Sequence, residues 1–227
     1  MIKLDNVSKA FGNGASGLFD VTLAVEKGEF VFLVGHTGSG KTTLFRLLIR
    51  DMLPSKGTIM VGDFDVVKLP HQKISHLRKK IGVVFQDLKL LFDRTIFENV
   101  ILPLELSGEK TLEAKKKVED LLFQVGIIEQ RNKFPIQLSG GELQRAAIAR
   151  ALILSPDILL ADEPTGNLDP QTSKDIVKLL LDINEKGTTV IMATHNVDVV
   201  NKLTKRVVAL DKGKIIRDEK KGKYGVS

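Results

Sequence analysis

The stretch GHTGSGKT, Gly35 to Thr42, decides the fold of this chain. It follows the apolar segment Glu29 to Val34, a predicted buried strand, and precedes Thr42 to Met52, whose leucines recur at helical spacing. Its glycines let backbone N–H groups turn inward around phosphate oxygens, beside the positive end of the helix. Lys41 is expected to reach the β- and γ-phosphates, and Thr42 to bind Mg²⁺ through its hydroxyl. A glycine-rich turn without a ligand would not need this strand and helix on either side.

A second polar site follows the apolar stretch ILLADE, Ile158 to Glu163. Its two carboxylates stand at the carboxyl end of a predicted strand, the edge where α/β sheets bind ligands. Side chains alternate along a strand, so Asp162 and Glu163 are expected to point in opposite directions. Asp162 suits the Mg²⁺ shell, and Glu163 suits deprotonating a water that attacks the γ-phosphate. Alone, the stretch could be a polar strand end at the surface; beside a phosphate loop it predicts catalysis.

The segment LSGGELQRAAIARAL, Leu138 to Leu152, predicts a second anion-binding helix start. Ser139 can cap the helix, and Glu142 stands at the capping-box position. A simple cap would not require both Gly140 and Gly141, so we expect something to approach them closely. Two such helix starts, about a hundred residues apart, suit a phosphate site shared between two chains.

The rest of the chain predicts an α/β sheet interrupted by a helical insertion. Strands are predicted at 2–11 and 18–25, joined by the turn NGASG, at 57–67, 158–161 and 188–194, and in a closing hairpin turned at Lys212-Gly213. Helices are predicted at 96–106, 112–125, 141–154 and 173–185. The basic end from about Arg217 is expected to be a solvated tail.

Composition narrows the classes of protein. Hydrophobic residues make up 43% of the 227, charged residues 27%, and there is no cysteine, which excludes a disulfide scaffold or thiolate metal site. No apolar run approaches the roughly 20 residues of a membrane span, and the amino terminus lacks a signal-peptide core. The net charge of +6 fits either an anionic partner or a solvated basic surface. Its Lys/Arg clusters are not interleaved with aromatic residues, so we expect no nucleic-acid partner.

Taken together, these motifs resemble the ATP-binding subunits of ABC transporters. The likeness rests on GHTGSGKTT, Gln86, LSGGELQ, ILLADEP, NLDP and ATHN with His195, in this order over essentially the whole chain. It implies two subunits that sandwich two ATP molecules with Mg²⁺. Catalysis is assigned to Glu163, His195, Gln86 and Lys41, and Mg²⁺ binding to Thr42, Gln86 and Asp162. Nucleotide contacts are assigned to Phe11, Gly35, His36, Thr37, Gly38, Ser39, Gly40, Lys41, Thr42 and Thr43, and across the dimer to Ser139, Gly140, Gly141, Glu142 and Asp169.

The resemblance also implies the architecture. The fold class is α/β, a P-loop NTPase of the ABC ATPase type with an antiparallel β subdomain and a helical insertion subdomain. Residues 1–227 form one such domain, with 1–87 and 156–227 as the core and 88–155 as the helical subdomain that carries the signature. Two positions depart from the common pattern: Glu142 stands where glutamine is usual, and Phe11 replaces the adenine-stacking tyrosine.

A narrower likeness is to the family branch that acts in cell division, through LRKKIGVVFQD, KLLFDRTIFENVILPL and LADEPTGNLDP. It implies a peripheral subunit at the cytoplasmic face of the plasma membrane, with an integral membrane partner of the FtsX type and a link to the division ring. Its output would be control of cell-wall hydrolases. The alternative is the motor of a lipoprotein-release or macrolide-type exporter. A soluble ABC protein acting on DNA or ribosomes would carry a coiled-coil insertion or two cassettes, and an ATP switch without turnover would not need Glu163 and His195.

The stretch FQDLKLLFDRTIFENVILPL, Phe85 to Leu104, lies between the motifs. We expect Gln86 to end a core strand and report on the nucleotide. A groove around Leu88, Leu90, Leu91 and Phe92 is predicted to receive a short helix of the membrane partner. The alternative is that these side chains only pack the core of the insertion.

Overall fold

The computed structural model describes residues 1–11, 16–109 and 111–225. The predicted turn at 13–17 lies largely outside these ranges. The strands within them are β1 (Ile2–Ala10), β2 (Ser16–Val25), β3 (Phe30–Val34), β4 (Lys56–Val61), β5 (Phe64–Asp65), β6 (Ile81–Val84), β7 (Ile158–Asp162), β8 (Thr189–Thr194), β9 (Arg206–Asp211) and β10 (Lys214–Glu219). The α-helices are α1 (Lys41–Leu48), α2 (Ile74–Lys79), α3 (Ile96–Leu106), α4 (Leu112–Gln124), α5 (Gly140–Leu152), α6 (Pro170–Glu185) and α7 (Val197–Leu203).

The larger sheet positions the predicted motifs. Its strand order is β10-β9-β3-β8-β7-β6, parallel except for the β10–β9 hairpin. Every residue of β3, β7 and β8 is buried, as expected for central parallel strands that are covered on both faces. Because β3, β8 and β7 are neighbours, the segments that follow them leave the same edge of the sheet. Those segments begin with Gly35, Glu163 and His195.

The smaller sheet is antiparallel, in the order β2-β1-β4-β5. The single strand predicted over 57–67 is wrong, because the structure has the two strands β4 and β5 there. Val61 pairs with Phe64, so Gly62 and Asp63 form a two-residue turn. Gly62 has a φ of 54°, the left-handed conformation that such hairpin turns require.

Three groups of buried side chains hold these elements together. The first contains side chains of both sheets and α1, among them Leu4, Leu44 and Leu160. In the second, Ile148 of α5 and Ile176 of α6 pack with strands of the larger sheet. The third lies within the helical segment and includes Leu90, Ile96, Val100, Leu104, Val118, Leu122, Ala146 and Ala149. Helix α5 therefore contributes to two cores, one in the sheet and one in the helical segment.

Short elements and the carboxyl end differ from expectation. Helices α2 and α7 were not predicted, because each buries one residue, Leu77 or Val200, and so lacks an apolar repeat. The predicted solvated tail is also wrong within the described residues: β10 continues to Glu219, Gly222 is buried, and Tyr224 packs against the second core. None of the helices in the described ranges is long and apolar enough to cross a membrane.

A single arginine joins the two sheets. Arg206, the first residue of β9, donates to the carboxylates of Glu29 and Asp218, with N–O distances of 3.0 and 2.6 Å. It also donates to the carbonyl of Ala24 in β2, at 2.8 Å. The hydrogen bond with Asp218, followed by the bond with Glu29, raises the pKa of Arg206. Its side chain is only 13% exposed, so the guanidinium is a largely buried link between the sheets.

We predict that Arg206→Met lowers the free energy of unfolding by about 2–4 kcal/mol, because two carboxylates lose their charged partner. Urea denaturation at pH 7 measures the change. The matched control is Arg46→Met, which removes an ion pair with Asp51 whose side chains are 49% and 43% exposed. That control should lose less than about 1 kcal/mol. Equal losses in the two variants would contradict the structural role given to Arg206.

Candidate functional site

The phosphate loop is held close to the strands beneath it. A Cβ on Gly35 would lie 2.3 Å from the Leu210 carbonyl oxygen, and one on Gly40 would lie 2.5 Å from that of Gly17. Gly40 also has a φ of 113°, which disfavours any larger residue. Glycine is therefore required at both positions by the backbone itself. At Gly38 a Cβ would meet nothing within 4 Å, but the φ of 80° still favours glycine there.

Two buried side chains of the loop fit an anion. Lys41 donates through Nζ to the backbone carbonyls of Gly35 and His36, at 2.7 and 3.1 Å. The hydrogen-bond acceptors of this ammonium are therefore uncharged. Burial lowers the pKa of Lys41, and the charges of Glu163 and Asp162 oppose that shift. The Ser39 hydroxyl is buried and has no hydrogen-bond partner among the described residues. A phosphate in this loop would give the ammonium and the hydroxyl a partner.

The loop and the end of β7 meet through one hydrogen bond. The Thr42 hydroxyl donates to a carboxylate oxygen of Asp162 at 2.9 Å. Burial raises the pKa of Asp162, although the bond from Thr42 opposes this. A hydroxyl and a carboxylate oxygen side by side are donors that suit Mg²⁺. The donor set therefore fits the predicted metal.

Glu163 points to the strand on the other side. Its Oε2 lies 2.9 Å from His195 Nδ1 and accepts a bond of 3.3 Å from the His195 backbone N–H. Glu163 has a φ of 49°, and its own N–H donates to the Ala193 carbonyl. A left-handed backbone at a non-glycine residue is a form of strain that clusters at functional sites. The side chain of Glu163 is 11% exposed and that of His195 is 65% exposed.

The other residues predicted to bind nucleotide or Mg²⁺ within one subunit lie around the phosphate loop and the end of β7. Gln86 is exposed just after β6 and lines a cleft of about 1080 Å³ together with Thr42 and Asp162. A Cβ on Gly17 would meet both the Phe11 ring and the Thr43 methyl group, at 2.7 and 2.8 Å. The Phe11 ring therefore lies next to the start of α1, with about a third of the residue exposed. His36 and Thr37 are exposed at the top of the loop.

The second helix start forms a separate group. Ser139 caps α5 and donates through Oγ and its backbone N–H to Glu142, which also accepts from Gln130. The bonds from Ser139 lower the pKa of Glu142. Among the described residues, no hydrogen bond joins this group to the phosphate loop. Residues 139–142 and the phosphate loop are therefore two distinct groups within one chain.

Packing within the chain explains one of the two adjacent glycines. A Cβ on Gly141 would lie 2.5 Å from the Thr172 methyl group, whereas one on Gly140 would lie 3.2 Å from a Leu168 methyl group. Asp169 caps α6 by accepting from the backbone N–H groups of Gln171 and Thr172, and hydrogen bonds from Thr172 lower its pKa. The starts of α5 and α6 therefore touch, and Asp169 stands beside the second helix start.

The apolar residues after Gln86 divide between the two hypotheses for that stretch, a docking groove and the core of the helical segment. Leu90 is buried and Leu88 is half-buried, both within the core of the helical segment, so these two were wrongly expected at the surface. Leu91 and Phe92 are exposed, at 37% and 63%. Asn99 holds this loop in place: its amide exchanges two bonds with Leu91 and donates to the carbonyls of Arg94 and Thr95.

Sequence reasoning gave no role to three residues at or near the site. Asn167 lines the same cleft as Gln86. Asn99 was detectable as a polar residue within the apolar run of α3. Arg150 donates to the carbonyls of Leu88 and Lys89, but its place on α5 carried no such signal, because the contact spans more than 60 positions.

Comparisons with known proteins identify this arrangement. The model of the family described as "ABC transporter" matches residues 18–166 of this chain. The chain belongs to this family, and it is an ATP hydrolase of the ABC type. A dimeric structure of the ATP-binding cassette MJ0796 bound to ADP and Pi has a TM-score of 0.89 and 36% identity, covering 99% of this chain and 100% of that one.

Two curated relatives, similar over nearly their whole length, share one name. "Cell division ATP-binding protein FtsE" of Bacillus subtilis is 47% identical over 99% of both chains. The protein of the same name in Mycobacterium tuberculosis is 48% identical over 100% of this chain and 99% of its own.

We predict that Asp162→Asn stabilises the protein in buffer with EDTA and without nucleotide. The folded state raises the pKa of Asp162, so the charged carboxylate weakens folding at pH 7. The gain should shrink as the pH falls toward about 4, because below the unfolded pKa the carboxyl is neutral in both states. Urea denaturation between pH 4 and 8 measures it. The exposed control Asp182→Asn should change stability by less than about 0.5 kcal/mol; a loss at pH 7 in Asp162→Asn would contradict the prediction.

Proposed function

We propose that this chain is the ATPase subunit of a cell-division complex, that it forms a homodimer on binding ATP, and that it drives an integral membrane partner of the FtsX type. Its place would be the cytoplasmic face of the plasma membrane. The output would be control of cell-wall hydrolases outside, with a link to the division ring inside. The FtsE name of relatives 47% and 48% identical over nearly the whole chain supports the division role.

The dimer is supported by one observation above all. The chain carries two helix starts that are predicted to bind phosphate, at Lys41 and at Ser139, and they form separate groups. In a head-to-tail pair, the exposed Ser139 start of one subunit would close the phosphate loop of the other, which gives two complete sites. The MJ0796 cassette bound to ADP and Pi is described as dimeric, which agrees with this assembly.

The proposed division of the chain follows from the same observation. Residues 1–87 and 156–227 would be the core that holds the phosphate loop, and 88–155 the helical subdomain that carries Ser139. The helical segment has a buried core of its own, which supports its movement as one unit. Since α5 also packs in the second core, such movement would pivot about this helix.

Nucleotide binding is assigned to the loop Gly35–Thr43 and the Phe11 ring. Backbone N–H groups of the loop would cradle the β- and γ-phosphates, and Lys41 would exchange its two carbonyl partners for phosphate oxygens. Thr42, Asp162 and Gln86 would hold Mg²⁺, which when bound supplies positive charge to the phosphates. Phe11 would stack on adenine, and this needs no hydroxyl.

Hydrolysis is assigned to Glu163 and His195. The Glu163 carboxylate would accept a proton from a water whose oxygen attacks the γ-phosphorus, while the bond from that phosphorus to the bridging oxygen breaks and ADP leaves. His195 Nδ1 at 2.9 Å holds the carboxylate in place, and its exposed ring can reach the γ-phosphate. Lys41 would stabilise the charge that develops on the phosphates.

We predict that Glu163→Gln retains ATP binding, lowers turnover by at least about a hundredfold and leaves an ATP-bound dimer, because it keeps the shape of the side chain but removes the base. Phosphate release and size-exclusion chromatography with ATP measure the two effects. Glu185→Gln, an exposed carboxylate at the end of α6, is the matched control and should behave as wild type. Wild-type turnover in Glu163→Gln would exclude Glu163 as the base.

The membrane partner is proposed to dock at Leu91, Phe92 and Arg94, the exposed part of the loop held by Asn99. We predict that Phe92→Ser with Arg94→Glu lowers recovery of the integral partner in membrane co-purification by about tenfold, since a lost anchor residue costs more than about 1 kcal/mol. Phe123→Ser, at a ring 73% exposed on α4, is the control. Unchanged recovery would contradict the docking surface.

The identity of the recovered partner separates the two candidate functions. A four-helix partner with one extracellular domain would support division, and an export permease would support the alternative, the motor of a lipoprotein-release or macrolide-type exporter.

A further inference from the structure

The loop that follows Gln86 has an unusual backbone. Leu88 and Lys89 have φ values of 57° and 53°, both left-handed, and neither is glycine. For residues with a side chain this conformation is unfavourable by about 1–2 kcal/mol each, so it persists only where other contacts hold it. Within this loop the Leu88 N–H donates to the Phe85 carbonyl, which tightens the turn directly at Gln86.

One side chain holds both left-handed residues. The guanidinium of Arg150 donates to the carbonyl oxygens of Leu88 and Lys89, each at 2.6 Å. A planar fork of donors matches two neighbouring acceptors in a way that a lysine ammonium does not. Burial lowers the pKa of Arg150, and no carboxylate pairs with it among the salt bridges of the described residues. The two carbonyls are thus its polar partners.

Arg150 lies on α5, the helix that begins at the Ser139 cap. The last turns of this helix press against β6, the strand that leads to Gln86: a Cβ on Gly82 would lie 2.4 Å from the Ala151 carbonyl oxygen. The Leu88 side chain packs against both the sheet core and the helical core. A continuous set of contacts therefore runs from Ser139 along α5, through Arg150, to the loop of Gln86.

We propose that Arg150 is a positioning residue for Gln86. It fixes the left-handed turn at Leu88 and Lys89, so that Gln86 faces Thr42 and Asp162 across the cleft they share. This inference rests on the proposed function, specifically on the role of Gln86 in catalysis.

A double-mutant cycle tests it with the purified full-length protein, measuring kcat and KM for ATP. Arg150→Met should lower kcat by about 10- to 100-fold, as expected for a misplaced catalytic group, and change KM less than about threefold. In the Gln86→Ala background, Arg150→Met should lower kcat no further, because the group that it positions is gone. Arg145→Met is the control: Arg145 on the same helix donates to the Val125 carbonyl within the helical segment, so its loss should leave kcat as in wild type.

A rescue experiment separates positioning from general stability. Arg150→Lys should also lower kcat, because an ammonium does not match both carbonyls. Adding Lys89→Gly should restore at least about a third of that loss, because glycine adopts positive φ without a contact to hold it. If Arg150→Met fails to fold, Arg150→Lys takes its place in the cycle. An equal fold-loss with and without Gln86, or no rescue by Lys89→Gly, would overturn the inference. Wild-type kcat in Gln86→Ala would instead refute the proposed role of Gln86.

Discussion

The hydrogen bond from Thr42 to Asp162 is the contact on which the rest of the site depends. It joins the end of β7 to the loop after β3, two strands separated in the sheet by β8. The bond places the Thr42 hydroxyl and the Asp162 carboxylate side by side near Lys41. Burial there disfavours the charges of both Asp162 and Lys41. We expect such an arrangement to weaken the protein without ligand, a common trade between stability and function.

The sheet edge also explains why the adjacent carboxylates of Asp162 and Glu163 have different partners. Asp162 still belongs to β7, and its side chain turns toward the phosphate loop. Glu163 leaves the strand with a left-handed backbone, and its side chain turns toward His195. One peptide step thus separates the carboxylate proposed to bind Mg²⁺ from the one proposed to activate water. The strain at Glu163 is held by its N–H bond to Ala193, a residue of the buried strand β8.

Much of the fold could be predicted from sequence, because long apolar repeats and glycine-rich turns carry their own signal. The range predicted for α3, Ile96–Leu106, agrees with the structure. Contacts between distant segments carried no signal. Gly141 was interpreted as room for a ligand, although the Thr172 methyl group already fills that space. Leu90 was expected at the surface because an apolar run shows hydrophobicity but not which side faces the core.

Glu142, which stands where glutamine is usual in the family, bears on the proposed mechanism. Its carboxylate accepts both donors of Ser139, the residue proposed to reach the nucleotide of the other subunit. A carboxylate binds such donors more strongly than the more usual amide, and its charge opposes an approaching phosphate. In the proposed dimer, the Ser139 hydroxyl would exchange its bond with Glu142 for one with a phosphate oxygen. Ser139 caps the helix that carries Arg150, so in the proposed dimer a movement of α5 would reach both the second half-site and the loop of Gln86.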